Sequence, residues 1–300
     1  MSAPIRYYNR QRQQWETEEV YGERALRWIY GTFLGRWTLW LLVRRKLVSR
    51  LYGWLMNRPS SRKKIQPFIE KYKIDTGEMA SPVSAYRSFN EFFYRRLKPS
   101  ARPVEGEGEN VVFPADGRHF WVRDLGRPQN LFAKGQAFNL PELVGSEKLA
   151  KPWFGGSAVI SRLCPVDYHR FHFPVEGKVR EKVEIDGYYY SVNPWALAKN
   201  LGYLWQNRRE LLILDHPEIG EVGFLAIGAT CVGGIHWSVE VGQEVTKGEE
   251  AGYFSFGGSC IVTLWPKNRF SPCADFEAIT DQGAEFMALV GSRMGHVGLD

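Results

Sequence analysis

Cysteine is scarce in this sequence, and its placement argues against two kinds of site. The 300 residues contain four cysteines, Cys164, Cys231, Cys260 and Cys273. None of them forms a CxxC or CxxxC pair, so the sequence signals neither a zinc ribbon nor a thiol redox centre. Isolated thiols at this frequency are typical of buried structural cysteines in a reducing compartment.

The sequence also lacks a long apolar run. In its most hydrophobic region, residues 25–56, charged residues recur, and an uncharged stretch such as Trp37 to Val43 is only seven residues long. A helix needs about 20 apolar residues to cross a bilayer, so no transmembrane span is predicted. The opening MSAPIRYYNRQRQQWETEE has neither an apolar core nor a small-residue cleavage site, and it is not a secretory signal.

Charge and tryptophan are concentrated in the first third of the chain. Residues 1–100 hold 20 Lys and Arg against 8 Asp and Glu, whereas the remainder holds 19 against 25. Five of the 11 tryptophans lie within the first 60 residues. A basic, tryptophan-rich end on an acidic body indicates contact with a polyanion, either nucleic acid or an anionic membrane.

Residues 25–56 carry a helical apolar stripe that favours the membrane. The stripe has i, i+3, i+4 spacing, and a shorter one follows it; the members are Leu26, Ile29, Tyr30, Phe33, Leu34, Trp37, Trp40 and Leu41, then Leu47, Leu51, Trp54 and Leu55. Arg44, Arg45 and Lys46 stand between the two, an arrangement that suits the plane of a membrane interface. The alternative is a helical hairpin packed on the core of the protein. Nucleic acid is disfavoured, because the aromatic residues are not interleaved with the cations as stacking platforms.

The rest of the chain predicts a different architecture. Ser88 and Glu91 have capping-box spacing and predict a helix from about Phe89 to Leu97. Beyond residue 110, short β-branched segments alternate with glycine-rich turns; they are residues 111–113, 120–122, 158–160, 179–183, 211–214, 222–227 and 261–265. We therefore expect an α+β protein, with amphipathic N-terminal helices in residues 1–66 and a β-rich, barrel- or sandwich-like catalytic domain in residues 67–300.

Four residues have the types needed for nucleophilic or acid–base chemistry. His169 and His172 lie in DYHRFHFP, Asp116 lies in FPADGRH, and Ser259 follows Gly257 and Gly258. The residue types fit a nucleophile, a base and an orienting acid, although no G-x-S-x-G elbow surrounds the serine. Plainer interpretations are a β-bulge at the glycines and an Asx turn at Asp116. The histidines could also bind zinc, but no third ligand stands at a recognisable spacing.

Six segments together resemble the phosphatidylserine decarboxylase proenzymes, in particular the longer bacterial form. In chain order they are SFNEFFYRRLKPSARPV, FPADGRHF, DYHRFHFPVEGKV, YYYSVNPWAL, FGGSC and GAEFMALVGSRMG. The likeness runs from about Ser88 to the C-terminus, whereas residues 1–66 match only in character. One departure is Cys260, where the family usually has threonine.

The resemblance implies a self-processing enzyme. Ser259 attacks Gly258 with His172 as base and Asp116 behind it, and cleavage leaves a large chain ending at Gly258 and a small chain of residues 259–300. The new end of the small chain becomes a covalent pyruvoyl group derived from Ser259. This cofactor takes the substrate amine as a Schiff base, and His169 reprotonates the carbon after CO₂ departs. No metal is implied.

The implied substrate is phosphatidylserine on an anionic membrane surface. The protein is then peripheral, on the cytoplasmic face of the cell membrane, a possible homodimer, and without a nucleic-acid partner. Three alternatives stay open. The first, which the resemblance also allows, is a decarboxylase of a soluble amino acid such as an aromatic one. The others are a zinc peptidase of barrel-sandwich type using His169, His172 and Asp116, and a non-catalytic membrane-binding module.

Overall fold

The computed structural model describes residues 5–18, 28, 31–38, 46–129, 136–229, 234–257 and 259–298. Its strands are β1 (Arg6–Asn9), β2 (Gln14–Thr17), β3 (Asn110–Val112), β4 (Gly117–Val122), β5 (Pro128–Gln129), β6 (Gln136–Ala137), β7 (Ser157–Leu163), β8 (Arg170–His172), β9 (Gly177–Ile185), β10 (Arg209–His216), β11 (Gly220–Gly228), β12 (Ile235–Trp237), β13 (Glu244–Val245), β14 (Glu250–Phe254), β15 (Ser259–Trp265), β16 (Phe270–Pro272), β17 (Glu285–Ala288) and β18 (Arg293–Val297). The strand segments predicted beyond residue 110 are confirmed, most of them with longer bounds.

The helices are short and lie mainly before and between the strands. They are α1 (Phe33–Thr38), α2 (Lys46–Asn57), α3 (Ile65–Tyr72), α4 (Phe89–Phe93), α5 (Leu140–Val144), α6 (Glu147–Ala150), α7 (Pro194–Leu197), α8 (Tyr203–Gln206) and α9 (Ala274–Thr280), with short 3₁₀ turns such as Pro59–Lys64. No described helix is long and apolar enough to cross a bilayer.

One ten-stranded sheet organises the molecule. Its strand order is β13-β9-β10-β11-β15-β7-β4-β17-β1-β2, and two three-stranded sheets, β12-β14-β8 and β16-β18-β3, accompany it. Neighbours in the large sheet are antiparallel except β1 and β17, which are parallel. The α+β prediction is confirmed, and the sheets are open, with no closed barrel in the described part of the chain.

The large sheet is buried on both faces because its strands alternate between two apolar clusters. In β10, Leu212 and Leu214 face one cluster with Phe171 and Phe254, whereas Leu211 and Ile213 face the other. This period of two is what a strand imposes on its side chains. A third cluster is built by α2, α3 and α4, and it includes Phe256, three residues before Ser259.

The helix predicted from Phe89 to Leu97 begins as expected but is shorter. The Ser88 hydroxyl accepts a hydrogen bond from the Glu91 N–H at 3.2 Å, which is the predicted cap. The helix ends at Phe93, so the predicted end is wrong. Leu97 instead forms a β-bridge with Met79, which takes its backbone out of the helix.

The N-terminal segment contains a hairpin that the sequence analysis did not predict. Strands β1 and β2 pair with each other, and β1 joins the large sheet beside β17. Helices α1 and α2 lie within the predicted stripes. The basic residues Arg44 and Arg45 lie outside the described residues, as do the stripe residues Leu26, Ile29, Tyr30, Trp40 and Leu41.

Candidate active site

Ser259 opens β15 at the centre of the large sheet. It lies between Gly228 of β11 and Leu163 of β7, and its side chain is fully buried. The Ser259 hydroxyl has no hydrogen-bond partner among the described residues. Because buried polar groups are nearly always paired, an unpaired serine hydroxyl indicates a functional position.

The segment before Ser259 has an unusual backbone and a firm anchor. Gly257 has φ of 145°, a conformation that side-chain-bearing residues rarely adopt. The Phe256 N–H donates to Asn90 Oδ1 at 2.7 Å, and Asn90 Nδ2 donates to Asn57 Oδ1 at 2.7 Å. Asn90 was not predicted from the sequence, where its only signal is its place in the SFNEFF motif. Gly258 lies outside the described residues.

His169 is buried beside this segment. Its ring packs on Phe93, with ring centroids 3.8 Å apart, and its carbonyl accepts the Phe254 N–H at 2.9 Å. His169 Nδ1 lies 3.0 Å from the Asp167 carbonyl. Since a carbonyl can only accept, Nδ1 carries the proton and Nε2 presents its lone pair. The backbone of Gly257 interacts with the imidazole, but Nε2 has no partner at full hydrogen-bonding geometry.

Burial keeps the His169 ring neutral. Desolvation lowers its pKa to about 3, and the charge of Arg95 acts in the same direction. A neutral imidazole in a buried site can accept a proton only after its surroundings change, because burial disfavours the charged form of the ring.

His172 is the last residue of β8, three residues after His169, and is half-buried. Its backbone N–H donates to the Pro114 carbonyl at 2.7 Å, which ties β8 to the Asp116 turn. Its Nδ1 donates to the Gly248 carbonyl at 2.9 Å, so its unpaired Nε2 also presents a lone pair. Desolvation lowers the pKa of His172, and the negative charges of Glu250 and Asp116 oppose this shift.

Asp116 is buried but is bound to an arginine rather than to a histidine. Arg102 donates to both carboxylate oxygens, at 2.7 to 3.0 Å, and the Val290 N–H donates to Oδ1 at 2.9 Å. The structure therefore places Asp116 close enough for its negative charge to act on His172. The two side chains form no hydrogen bond with each other. Arg102 was not identified from the sequence.

Buried ion pairs hold the strands around the site. Arg118 of β4 binds Asp167 at 2.6 Å, which fixes the turn whose carbonyl orients His169. Arg162 of β7 binds Glu285 of β17 through two contacts, at 2.9 and 2.7 Å, and also binds Glu18. Bidentate pairs of this kind set geometry as well as energy.

A metal site is not evident from this arrangement. The described residues contain no group of three or more His, Cys, Asp or Glu side chains able to hold a metal ion. The zinc alternative therefore has no ligand set in the described part of the chain.

Comparison with known proteins shows one consistent similarity. Residues 89–288 match the family model described as phosphatidylserine decarboxylase. The chain is 43% identical to a phosphatidylserine decarboxylase proenzyme of Ruminiclostridium cellulolyticum, over 97% of each chain. It is 39% identical to the proenzyme of Fusobacterium nucleatum, over 97% of each chain, and 38% identical to that of Clostridium novyi, over 97% of this chain and 99% of the relative.

Proposed function

Because the chain belongs to the phosphatidylserine decarboxylase family and is an enzyme of this type, we propose that it converts phosphatidylserine to phosphatidylethanolamine and CO₂ at a membrane surface. We propose further that it does so after cutting itself between Gly258 and Ser259. The observation that carries this proposal is the fully buried Ser259 hydroxyl, which has no partner among the described residues and follows a backbone segment suited to glycine.

The proposed cut is an acyl shift followed by an elimination. The Ser259 oxygen attacks the Gly258 carbonyl carbon, the peptide C–N bond breaks, and an ester forms while the serine nitrogen becomes a free amine. Removal of the Ser259 Cα proton then breaks the ester C–O bond and releases the chain that ends at the Gly258 carboxylate. Water converts the remaining dehydroalanine to a pyruvoyl group and ammonia.

His172 suits the role of base in this cut. Its Nδ1–H donates to a carbonyl, so the lone pair of Nε2 is available, and burial keeps the ring unprotonated near neutral pH. The charge of Asp116 favours the imidazolium that forms when His172 takes the proton. We propose that Asp116 acts through this field, while Arg102 holds its carboxylate in place.

His169 is proposed to act in decarboxylation. In the uncut chain it carries no spare proton, because its pKa is about 3 and Nδ1–H is committed to the Asp167 carbonyl. Its task begins after the cut, when the Gly257 backbone beside the ring becomes part of a free chain end and water can enter. His169 can then take up a proton and return it to the substrate carbon once CO₂ has left.

The residues around Ser259 fit the cofactor that the family implies. A pyruvoyl group at residue 259 supplies a carbonyl that takes the substrate amine and a conjugated system that accepts the electron pair released with CO₂. It would derive from Ser259 at the start of β15, and the unpaired Nε2 atoms of His169 and His172 are two buried polar atoms that could serve it.

The N-terminal helices support action at a membrane surface. Large apolar side chains are more than half exposed on both α1 and α2, namely Phe33 at 69%, Trp37 at 53%, Leu51 at 56% and Trp54 at 53%. Such aromatic and aliphatic side chains on short helices enter the headgroup region of a bilayer. We therefore expect a peripheral protein on the cytoplasmic face of the cell membrane.

A groove lined by residues of α2, α3 and α4 has the chemistry of a phospholipid site. It has a volume of about 420 Å³ and an aromatic floor that includes Phe68, Phe89 and Phe256. Lys63, Lys64 and Lys71 also line it, which places cations next to apolar surface. Since Phe256 lies three residues before Ser259, this groove adjoins the proposed cleavage segment.

Intact mass under denaturing conditions tests the proposed cut. The wild-type protein should give two chains, residues 1–258 and 259–300, and Ser259→Ala should give one. Ser255→Ala is the matched control, because Ser255 lies on the same segment and its hydroxyl bonds to His236, so this variant should still be cut. A Ser259→Ala protein that splits at the same bond would refute the proposal.

Release of CO₂ tests the substrate. Cut wild-type protein should decarboxylate phosphatidylserine in mixed anionic vesicles, whereas turnover of a free aromatic amino acid alone would favour the soluble-substrate alternative. The homodimer stays a prediction, which sedimentation of the cut protein tests. The absence of a nucleic-acid partner is also still a prediction.

A further inference from the structure

Arg95 is a buried arginine to which the described residues offer no ion pair. It is 6% exposed, and its Nε and Nη1 atoms are enclosed with no hydrogen bond in the described part of the chain. Its guanidinium packs over the Phe92 ring at 5.1 Å, a contact that satisfies none of these N–H groups. A buried guanidinium normally binds a carboxylate or a carbonyl, because an unpaired buried charge is costly.

The carboxylates near Arg95 already form ion pairs with other arginines, and those pairs would have to break before either carboxylate could bind Arg95. The charges that reach Arg95 are those of Asp116, Asp167 and Arg102, and Tyr86 also lies in range. Asp116 is held by Arg102 at 2.7 Å, and Asp167 is held by Arg118 at 2.6 Å. Unlike Arg102 and Arg118, Arg95 therefore binds no carboxylate among the described residues of this cluster. Burial lowers its pKa.

Arg95 also lies next to the proposed catalytic residues. Its charge acts on His169, whose ring packs on Phe93, two residues earlier in the same segment. The residues that follow it, Arg96 and Leu97, line a cavity of about 640 Å³ together with Arg102, Tyr168 and His172. Such a cavity is large enough to admit a phospholipid headgroup.

We propose, resting on the function proposed above, that Arg95 binds the phosphodiester of the phosphatidylserine headgroup. The headgroup carries two anions, the phosphodiester and the carboxylate. The carboxylate loses its charge as CO₂ departs, so a cation bound to it would stabilise the substrate more than the transition state and slow the reaction. The phosphodiester keeps its charge from substrate to product, so a buried arginine can hold it throughout and position the reacting carbon.

Substitution of Arg95 by methionine tests this assignment on the cut enzyme. Arg95→Met keeps an apolar stem on Phe92 and removes the unpaired charge, so it should be cut normally and should be no less thermally stable than the wild type. Its KM for short-chain phosphatidylserine should rise about ten- to a hundredfold, the range expected for loss of a charge-assisted hydrogen bond. Arg87→Met is the matched control, because Arg87 is an exposed arginine that does not line this cavity, and its KM should change little.

Two competitive inhibitors distinguish the anions of the headgroup. Glycerophosphoethanolamine carries the phosphodiester without the carboxylate, and L-serine carries the carboxylate without the phosphodiester. Arg95→Met should weaken inhibition by glycerophosphoethanolamine and leave inhibition by L-serine unchanged, and Arg95→Lys should restore part of the loss. If Arg95→Met does not fold, the comparison of Arg95→Lys with wild type carries the test, with the same selective weakening expected.

Several results would overturn the assignment. They are an unchanged KM in Arg95→Met, weakened inhibition confined to L-serine, and an equal or larger rise of KM in Arg87→Met. An Arg95→Met chain that folds but is not cut would also overturn it, because that result would place Arg95 in self-cleavage. Failure of the proposed function looks different, because the wild-type protein itself would then stay uncut or release no CO₂ from phosphatidylserine.

Discussion

Replacement of Asn90 by alanine should slow self-cleavage, although Asn90 does not touch Ser259. The Asn90 side chain accepts the Phe256 N–H at 2.7 Å and is 3% exposed. Without it, a buried N–H three residues before Ser259 loses its acceptor, at a cost of about 1–3 kcal/mol. If that bond holds the segment in the geometry for attack, the rate of cutting should fall about five- to a hundredfold.

The assay follows freshly synthesised precursor into its two chains by denaturing mass spectrometry. Asn57→Ala is the matched control, because Asn57 is exposed and only supports Asn90 from behind; it should slow cutting by no more than about twofold, as an ordinary surface change would. Asn90→Asp keeps an acceptor for Phe256 and should fall between the two. Cutting of Asn90→Ala at the wild-type rate, or equally slow cutting of Asn57→Ala, would contradict this prediction.

Three further predictions concern the histidines and the membrane. His172→Ala should remain one chain, and His169→Ala should be cut yet release CO₂ poorly; the reverse pattern by mass spectrometry and CO₂ assay would show the two roles exchanged. Burial holds the pKa of His119 and of His169 at about 3, so the folded state binds fewer protons than the unfolded state between there and about 6.5. The free energy of unfolding, measured by urea titration, should therefore be steady above pH 6.5 and should fall below it, by up to about 1.4 kcal/mol per pH unit for each histidine. In His119→Asn the free energy of unfolding should fall less steeply with pH. Replacing Trp54 and Leu55 by glutamine should weaken co-sedimentation with anionic vesicles at low and at high salt alike, because the lost term is apolar and is not screened; binding equal to wild type would indicate that this face has another role.

The β-rich body could be predicted from the sequence because its signal is local. In β10 and β11, residues alternate between two buried faces, and this period is visible in any short window of the sequence. The start of α4 was predictable for the same reason, since Ser88 and Glu91 are three residues apart. Its end was not, because the Met79–Leu97 bridge joins residues that share no local pattern.

The site shows the same limit more strongly. His169, His172, Asp116 and Ser259 could be proposed as site residues from their residue types and from the family resemblance. The arginine that binds Asp116 could not, because several arginines precede that turn and none is distinguished by spacing. The pairing of β1 with β17 joins residues near opposite ends of the chain, so no local pattern around residues 6–9 predicts it.

The position of β15 and β17 in the large sheet has a consequence for a cut enzyme. The small chain would not be a detachable tail, because β15 lies between β11 and β7, and β17 lies between β4 and β1. Strands of the two chains would alternate in one sheet, and the ion pair between Arg162 and Glu285 would join the large chain to the small chain. Once unfolded, such pieces would have to find each other in solution as well as refold, so heating should be irreversible after the cut and reversible before it. Self-cleavage would then leave a protein whose lifetime depends on how slowly it unfolds, and no longer on an equilibrium to which it can return.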